Sequence, residues 1–388
     1  MDLTPDHAFI TSTLVDLVRI NSINPRIAPD GAGEAEIAAY VARTLAWLGL
    51  DQTTFESQPG RVTAMGTLRG TGGGGSLMLN GHADTVGIEG MTDPFSAQIR
   101  DGRLYGRGAH DMKGSLAACI GAAKILADAG VRLRGDLVIA AVADEEYGSL
   151  GTADLIDRCH VDAAVVTEPT NMDVCLAHKG YVWVEVETHG TAAHGSRFTE
   201  GVDAVMRMGR FLSSLDRLEQ SLRLGPAHPL VGPPSLHAAM IEGGTGLSTY
   251  AARCRLQIER RTVPGETVEA AVSQIQALVD QLSADDPSFQ ATVRPFFARE
   301  PFEVGPEARI VRVITEAASG VLGRRPAFVG DTPWMDAALL AAAGIETVVM
   351  GPLGAGEHSA VEWVDVETVV QLAGILARTA VEYCGIDR

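Results

Sequence analysis

The sequence predicts an α/β protein in which a mixed sheet with helices on both faces is interrupted by a smaller α+β domain. Three observations lead to this class. The chain has 388 residues, enough for two or three domains with a sizeable core. Strand-like and helix-like apolar segments alternate near both ends of the chain. Between residues 180 and 297 the order changes to β-α-β-β-α-β, which is typical of a ferredoxin-like domain.

The change of order also predicts the domain boundaries. Residues 1–179 form the first part of the main domain, 180–297 form an inserted domain, and 298–388 form the second part of the main domain. The main domain is therefore built from both ends of the chain.

In the first part, apolar residues at helical spacing predict helices over 9–18, 35–48, 114–129 and 152–158. Short apolar runs predict strands over 62–68, 77–79, 137–143 and 163–166. The glycine run 70–75 contains G-x-G-x-x-G, but a dinucleotide fingerprint needs a helix next, and this chain enters a strand. We therefore predict a hairpin turn there.

The same reasoning gives the rest of the chain. The insert is predicted to contain strands 181–188, 235–241, 251–260 and 290–295, with helices 201–218 and 267–283. The second part of the main domain is predicted to contain helices 307–322, 335–343 and 366–383 and a strand over 347–350. In such a sheet, functional residues are expected at strand ends.

Composition narrows the partners and the compartment. Lys and Arg number 31 against 49 Asp and Glu, so the net charge is −18, which opposes binding to nucleic acid and to anionic membrane surfaces. The five cysteines are scattered without a C-x-x-C pair, as expected for reduced thiols. The first residues, MDLTPDHAF, lack the pattern of a secretory signal, and no run of 18 apolar residues occurs. We therefore expect a cytoplasmic protein.

Two segments offer candidate metal ligands near predicted strand and helix ends. His82 and Asp84 lie in N-G-H-A-D-T-V, where an imidazole beside a carboxylate suits a ligand and the group that orients it. A hydrogen-bonded surface pair also accounts for this pattern. Asp111 lies in G-R-G-A-H-D-M-K-G just before a predicted helix, where it could bridge two cations or simply cap the helix.

Three further segments add carboxylates and an imidazole. Glu145 and Glu146 lie in A-D-E-E-Y-G after a predicted strand, and adjacent acidic residues there need cations or shared protons unless the loop is simply solvated. One of the two could bind a metal while the other moves a proton. Glu168 in V-V-T-E-P-T and His358 in G-A-G-E-H-S-A also follow predicted strands.

Together these residues form a set that suits two divalent cations sharing one carboxylate. The mixed nitrogen and oxygen donors fit zinc, with cobalt or manganese as alternatives. The set contains two imidazoles and three carboxylates: His82, Asp111, Glu146, Glu168 and His358.

At this point the sequence resembles the binuclear metallohydrolases that include acetylornithine deacetylase, succinyl-diaminopimelate desuccinylase, aminoacylase and glutamate carboxypeptidase. The resemblance implies a catalytic domain in 1–179 and 298–388 and a lid and dimerisation domain in 180–297. It rests on the segments NGHADTV, YGRGAHDMKGSLAA, DEEYGSLGT, TEPT, HGTAAHGS and EHSAVEWV, which occur in the family's order.

The resemblance also implies roles for these residues. His82 and Glu168 would complete one metal site, Glu146 and His358 the other, and Asp111 would bridge them. Asp84 would orient His82, and Glu145 would be the general base that takes a proton from the attacking water and returns it to the leaving amine.

Two residues of the insert also match family motifs. His194 in T-A-A-H-G-S would reach across a dimer to stabilise the oxyanion, and Arg261 in E-R-R-T-V-P-G-E would bind the substrate carboxylate. Taken alone, they would be an exposed loop histidine and a solvated strand arginine. The chain departs from the family at 248–250, where it has Ser-Thr-Tyr and relatives carry an asparagine that lies near the substrate.

The resemblance therefore implies a homodimeric, two-metal amidohydrolase that cleaves the amide of an N-acyl amino acid. A dipeptidase or carboxypeptidase with the same metal machinery is the alternative within this chemistry. A metal-dependent binder without activity, or a structural oligomer, are alternatives from other classes. A free carboxylate at Glu145 favours catalysis, since binding alone does not need it.

Overall fold

The computed structural model describes residues 2–387, and its internal contacts divide the chain into two units. The first unit contains residues 2–176, 304–329 and 335–387. The second contains 177–303 and 330–334. The insert predicted at 180–297 lies within the second unit, which also takes in the short segment 330–334.

The elements are named in chain order. The helices are α1 (His7–Arg19), α2 (Ala35–Trp47), α3 (Gly114–Asp128), α4 (Leu150–Arg158), α5 (Ala204–Leu224), α6 (Val268–Asp285), α7 (Arg309–Leu322), α8 (Ala337–Ala342) and α9 (Val366–Cys384). The strands are β1 (Asp51–Gln58), β2 (Arg61–Leu68), β3 (Leu77–His82), β4 (Gln98–Arg100), β5 (Arg103–Tyr105), β6 (Leu137–Val142), β7 (Ala163–Val166), β8 (Val174–His178), β9 (Gly180–His189), β10 (Ser235–Gly243), β11 (Arg253–Thr262), β12 (Gln290–Arg299), β13 (Phe302–Glu303), β14 (Phe328–Asp331), β15 (Glu346–Val349), β16 (Gly354–Ala355) and β17 (Trp363–Asp365). An irregular helical turn, Ala109–Lys113, leads into α3.

The main sheet of the first unit is mixed, as predicted. Its strands lie in the order β1-β2-β6-β3-β7-β15-β8. Strands β6, β3, β7 and β15 pair in parallel, whereas β1, β2 and β6 pair antiparallel. Every residue of β3 and β6 is buried, so both faces of the sheet centre are covered.

Small side chains let the helices of this unit approach closely. Helix α3 is rich in glycine and alanine and contacts both α1 and α9. A Cβ added at Gly121 would lie 2.7 Å from Ile10 Cγ1 and 3.0 Å from Ala373 Cβ. The absence of a side chain at this position is therefore part of the packing.

The hairpin predicted for the glycine run is wrong. Strands β2 and β3 are separated by β6, which pairs with both, so the run connects strands that are not neighbours. The glycines serve close backbone approach instead: a Cβ at Gly74 would lie 1.9 Å from the carbonyl oxygen of Cys384, and one at Gly70 would lie 2.5 Å from that of Arg134. Apolar alternation alone could not distinguish these arrangements.

The second unit has the predicted β-α-β-β-α-β order, formed by β9, α5, β10, β11, α6 and β12. The sheet order is β10-β11-β9-β12 and all three pairings are antiparallel, as in a ferredoxin-like domain. Its core contains Val184, Phe211 and Ile275. Strand β10 lies at an edge of this sheet.

No helix within residues 2–387 is both long and apolar enough to cross a membrane. The five cysteines are not joined in disulfides.

Candidate metal centre

Two of the predicted ligands are placed by neighbouring strands of the main sheet. His82 is the last residue of β3, and Glu168 lies two residues beyond the end of β7. Because β3 and β7 are parallel neighbours, both side chains reach the same edge of the sheet. His82 Nε2 lies 3.7 Å from Glu168 Oε1.

Asp111 lies between the two imidazoles of the cluster. Its Oδ1 is 2.8 Å from His82 Nε2, and its Oδ2 is 3.3 Å from His358 Nε2. Burial acts to raise the pKa of Asp111, but hydrogen bonds from His358 and His82 outweigh it and lower the pKa well below its usual range. Each carboxylate oxygen thus faces a different imidazole, the arrangement that a bridging ligand needs.

Glu146 and His358 form the other side of the cluster. Glu146 Oε2 lies 3.0 Å from His358 Nε2. His358 sits in the loop after β16, has φ 57°, and its side chain is 56% exposed. Hydrogen bonds to Asp111 and Glu146 raise the pKa of His358 to about 10.

Glu145 lies beside the ligands that the sheet holds. One potential ligand atom from each of His82, Glu145 and Glu168 lies within 4.8 Å of the other two. Burial, followed by the charge of Glu168, raises the pKa of Glu145 well above its usual range. A raised pKa makes a carboxylate a stronger proton acceptor.

The structure gives Asp84 a different contact from the expected one. His82 Nδ1 donates to the main-chain carbonyl of Asp84 at 2.9 Å, whereas the Asp84 carboxylate lies 3.7 Å from Nδ1. Since the carbonyl can only accept, Nδ1 carries a proton, and Nε2 is the nitrogen that faces the cluster. The carboxylate instead accepts from the main-chain N–H of Glu145 at 3.1 Å and of Glu146 at 3.3 Å.

A buried polar network behind Asp84 was not found from the sequence. Asn24 Nδ2 donates to Asp84 Oδ2 at 2.7 Å and to Asp144 Oδ1 at 3.1 Å. Arg61 lies 2.7 Å from Asp144 Oδ1 and donates to Glu34 Oε2 at 2.9 Å. The sequence signal for this network was Arg61, a charged residue at the start of the apolar strand β2, and its partners are distant along the chain.

The donor set fits two divalent cations. His82, Glu168 and Asp111 Oδ1 could hold one, and His358, Glu146 and Asp111 Oδ2 could hold the other. Glu146 Oε1 is buried and has no hydrogen-bond partner among the described residues, as expected for an oxygen that awaits a cation. The carboxylates also raise the pKa of His82 although burial acts to lower it, so the cluster attracts positive charge.

The remaining predicted site residues belong to the second unit, whereas the whole cluster belongs to the first. His194 is exposed, and its Nδ1 lies 2.8 Å from Ser196 Oγ. Its loop is bound to segment 248–250 through Gly195 N, which donates to Ser248 O at 2.7 Å. Arg261 lies on β11, where its Nε donates to Glu259 Oε1 at 2.7 Å and its guanidinium lies over the Tyr181 ring.

Comparison with known proteins shows which family and which individual proteins this chain is similar to. Residues 78–382 match the family described as peptidase family M20/M25/M40. Acetylornithine deacetylase from Myxococcus xanthus is 30% identical over 97% of this chain and 98% of that protein. N-formyl-4-amino-5-aminomethyl-2-methylpyrimidine deformylase from Bacillus subtilis is 29% identical over 92% of this chain and 91% of that protein. The structure of aminopeptidase PepT from Bacillus cereus has a TM-score of 0.81 at 19% identity and covers 98% of this chain and 99% of that one.

Proposed function

The chain belongs to peptidase family M20/M25/M40, and from that premise we propose that it hydrolyses the amide bond of an N-acyl amino acid. One observation carries the proposal: the two carboxylate oxygens of Asp111 face the imidazoles of His82 and His358, respectively. Glu145 lies beside this cluster. Two of its relatives are named for removing acetyl and formyl groups, which favours a small acyl group.

We propose that the ligand cluster binds two divalent cations, zinc or in its place cobalt or manganese. His82 and Glu168 would hold one cation, His358 and Glu146 the other, and Asp111 both. When bound, such cations polarise a carbonyl group and make water acidic enough to attack it.

In this proposal the protein moves the proton through Glu145. Its carboxylate takes a proton from the attacking water and gives it to the departing nitrogen, so that an amide and water become a carboxylate and an amine. The Asp84 carboxylate keeps Glu145 in place, because it accepts the main-chain N–H of that residue. His82 stays in the required tautomer because its Nδ1 is bound to a carbonyl.

The second unit would supply substrate recognition and assembly. We propose that Arg261 binds the substrate carboxylate and that His194 stabilises the oxyanion in the active site of a partner subunit. The edge strand β10 exposes Met240 and Ile241, and α5 exposes Met206, which is the kind of surface that a second copy would cover.

Each of these roles can be measured. His194→Ala should lose turnover while keeping its metal content, and a mixture with Glu145→Ala should regain part of it if active sites are shared between subunits. Ile241→Lys should shift the mass measured by light scattering toward the monomer. Turnover that is unchanged in His194→Ala would contradict its proposed role.

The alternative is a dipeptidase or carboxypeptidase that uses the same cluster. The ligands and Glu145 would act in the same way, because both reactions cleave an amide. The difference would lie in what the second unit recognises, and the Ser248 to Tyr250 segment departs from the family there.

The proposal is tested by amine release from a panel of N-acetyl, N-formyl, N-succinyl and longer N-acyl amino acids together with dipeptides. Chelator-stripped protein is assayed with and without added zinc or cobalt, and Glu145→Ala is the control for contaminating activity. Hydrolysis of acyl amino acids that requires the metal supports the proposal. Hydrolysis of dipeptides alone would favour the alternative, and no hydrolysis by metal-loaded protein would contradict both.

A further inference from the structure

Glu362 is a buried carboxylate that binds the turn carrying Asp111. Its side chain is 1% exposed. Oε1 accepts the main-chain N–H of His110 at 2.9 Å and of Asp111 at 3.1 Å. Oε2 accepts the main-chain N–H of Gly108 at 2.9 Å and Arg107 Nη1 at 2.7 Å. One side chain therefore binds the main chain at Asp111 itself and at two of the three residues before it.

Arg107, its ion-pair partner, extends this connection to the loop that carries His358. Arg107 Nη2 donates to the carbonyl of Ser359 at 3.1 Å, the residue directly after His358. Its Nε donates to the carbonyl of Gly87 at 2.7 Å. The guanidinium and the carboxylate are both almost fully buried, so these are charge-assisted bonds with little competition from water.

Glu362 and Arg107 together are called the clamp below. The two sides of the cluster depend on it to different degrees. His82 ends one strand of the main sheet and Glu168 follows its neighbour, and these strands hold the two residues without Glu362. His358 lies on an exposed loop, and Asp111 lies in an irregular turn. Glu362 and Arg107 bind these last two segments to each other.

We propose that Glu362 is a positioning residue. It fixes Asp111 relative to His358 and thereby maintains the cation site formed by Asp111, Glu146 and His358. This inference rests on the proposed function, because it assumes that the cluster binds two cations. A glutamine at 362 would keep one acceptor oxygen but would direct an NH2 group at two donors, so the clamp needs the carboxylate.

The test is calorimetric titration of chelator-stripped, full-length protein with Zn²⁺. The wild type should bind two equivalents. Glu362→Gln should bind the second equivalent about 10- to 100-fold more weakly and the first far less so, because the first site shares Asp111 but keeps His82 and Glu168 on the main sheet. Glu362→Asp, which keeps the charge, should recover part of the loss, and it decides the question if Glu362→Gln does not fold.

Two controls separate positioning from a general loss of stability. Glu346→Gln is matched, because Glu346 also accepts two main-chain N–H groups, those of Arg309 at 3.2 Å and Ile310 at 2.6 Å, but it lies at the far end of β15. It should leave both equivalents unchanged. His358→Ala should lose the second equivalent, and adding Glu362→Gln to it should weaken the remaining one far less than Glu362→Gln alone weakens the second.

Two results would overturn the inference: wild-type affinity for both equivalents in Glu362→Gln, or equal weakening of both. A wild type that binds fewer than two equivalents would overturn it together with the two-cation proposal. A wild type that binds two but hydrolyses no amide would contradict the proposed function only, since the titration of Glu362→Gln would still decide this point.

Discussion

The two imidazoles of the cluster are held in opposite ways. His82 ends a buried strand, is 1% exposed, and has its Nδ1 bound to a main-chain carbonyl. His358 lies on a loop with a left-handed backbone conformation and is 56% exposed. One half of the ligand set is therefore prearranged by the sheet, while the other depends on side chains that bind loops together.

This difference has an energetic consequence. Ordering a loop residue costs about 1–2 kcal/mol of backbone entropy, which a strand residue has already lost when the sheet forms. A cation bound by the sheet-held ligands His82 and Glu168 therefore meets a prepared site. A cation bound by the loop-held ligands Glu146 and His358 must also order their loops, so we expect it to bind more weakly.

The largest effect should come from a substitution that leaves both halves intact. Glu145→Ala removes the proton carrier but none of the proposed ligands, so turnover should fall about 10²- to 10⁴-fold while both cations stay bound. Steady-state kinetics and metal analysis of the same sample measure the two quantities. Turnover above about a tenth of the wild-type rate would contradict the role of Glu145.

The comparison itself is tested by truncating each imidazole. His82→Ala removes the sheet-held ligand and should lose the tighter equivalent, whereas His358→Ala should lose only the weaker one. Metal content after dialysis at low free Zn²⁺ should therefore be lower for His82→Ala than for His358→Ala. Equal loss in the two variants would show that the halves do not differ.

In protein stripped of metal by a chelator, the free energy of unfolding should fall as pH rises. Burial raises the pKa of Glu146 to about 7, and hydrogen bonds to Asp111 and Glu146 raise that of His358 to about 10. In both cases the folded protein keeps a proton that the unfolded chain has lost, so this stabilisation decreases as pH rises toward the folded pKa. Thermal unfolding of stripped protein should occur at a lower temperature at about pH 8 than at about pH 6.

Loaded protein is the control for this experiment, because cations replace the bound protons. The gain in Tm on adding Zn²⁺ should therefore be greater at the higher pH. A gain that is equal at both pH values would contradict the proton competition.

The smallest expected effect concerns the network behind Asp84. Asn24→Ala removes hydrogen bonds to Asp84 and Asp144 and should lower the free energy of unfolding by about 1–3 kcal/mol. Asn21→Ala is the matched control, since the Asn21 side chain accepts one main-chain N–H within residues 2–387, that of Ile23, and should cost less. Urea unfolding of the metal-loaded proteins measures both.

Much of the fold was predictable because it depends on local patterns. Buried strands such as β6 are continuous apolar runs, and the sequence order of the second unit predicted its class correctly. The family resemblance read from the motifs is confirmed. Strand β1 was missed because its sequence, DQTTFESQ, is polar and mostly exposed. The glycine run was misinterpreted because strand order depends on β6, which lies far along the chain.

The residues that the structure brings together in the cluster were named from the sequence, since each lies at or after a strand end or precedes a helix, and their role as ligands stays a prediction. The groups that hold them were not. Glu362 contacts His110 and Gly108, which lie more than 250 positions away. Arg61, at the start of β2, contacts Asp144, which follows the neighbouring strand β6. Such contacts arise from tertiary folding, so spacing along the chain gives no sign of them. The sequence also gave no sign that His82 Nδ1 contacts the main-chain carbonyl of Asp84 more closely than its carboxylate.

The pairing of two unequal cation sites with amide hydrolysis is best measured by a stepwise Zn²⁺ titration of stripped wild-type protein, followed by calorimetry and by amine release from an N-acetyl amino acid. We expect two equivalents of unequal affinity, the weaker one being that of the loop-held ligands, and amine release that appears only on loading. Two equivalents of equal affinity would contradict the difference between sheet-held and loop-held ligands. Hydrolysis that persists in the stripped protein would contradict metal-dependent cleavage.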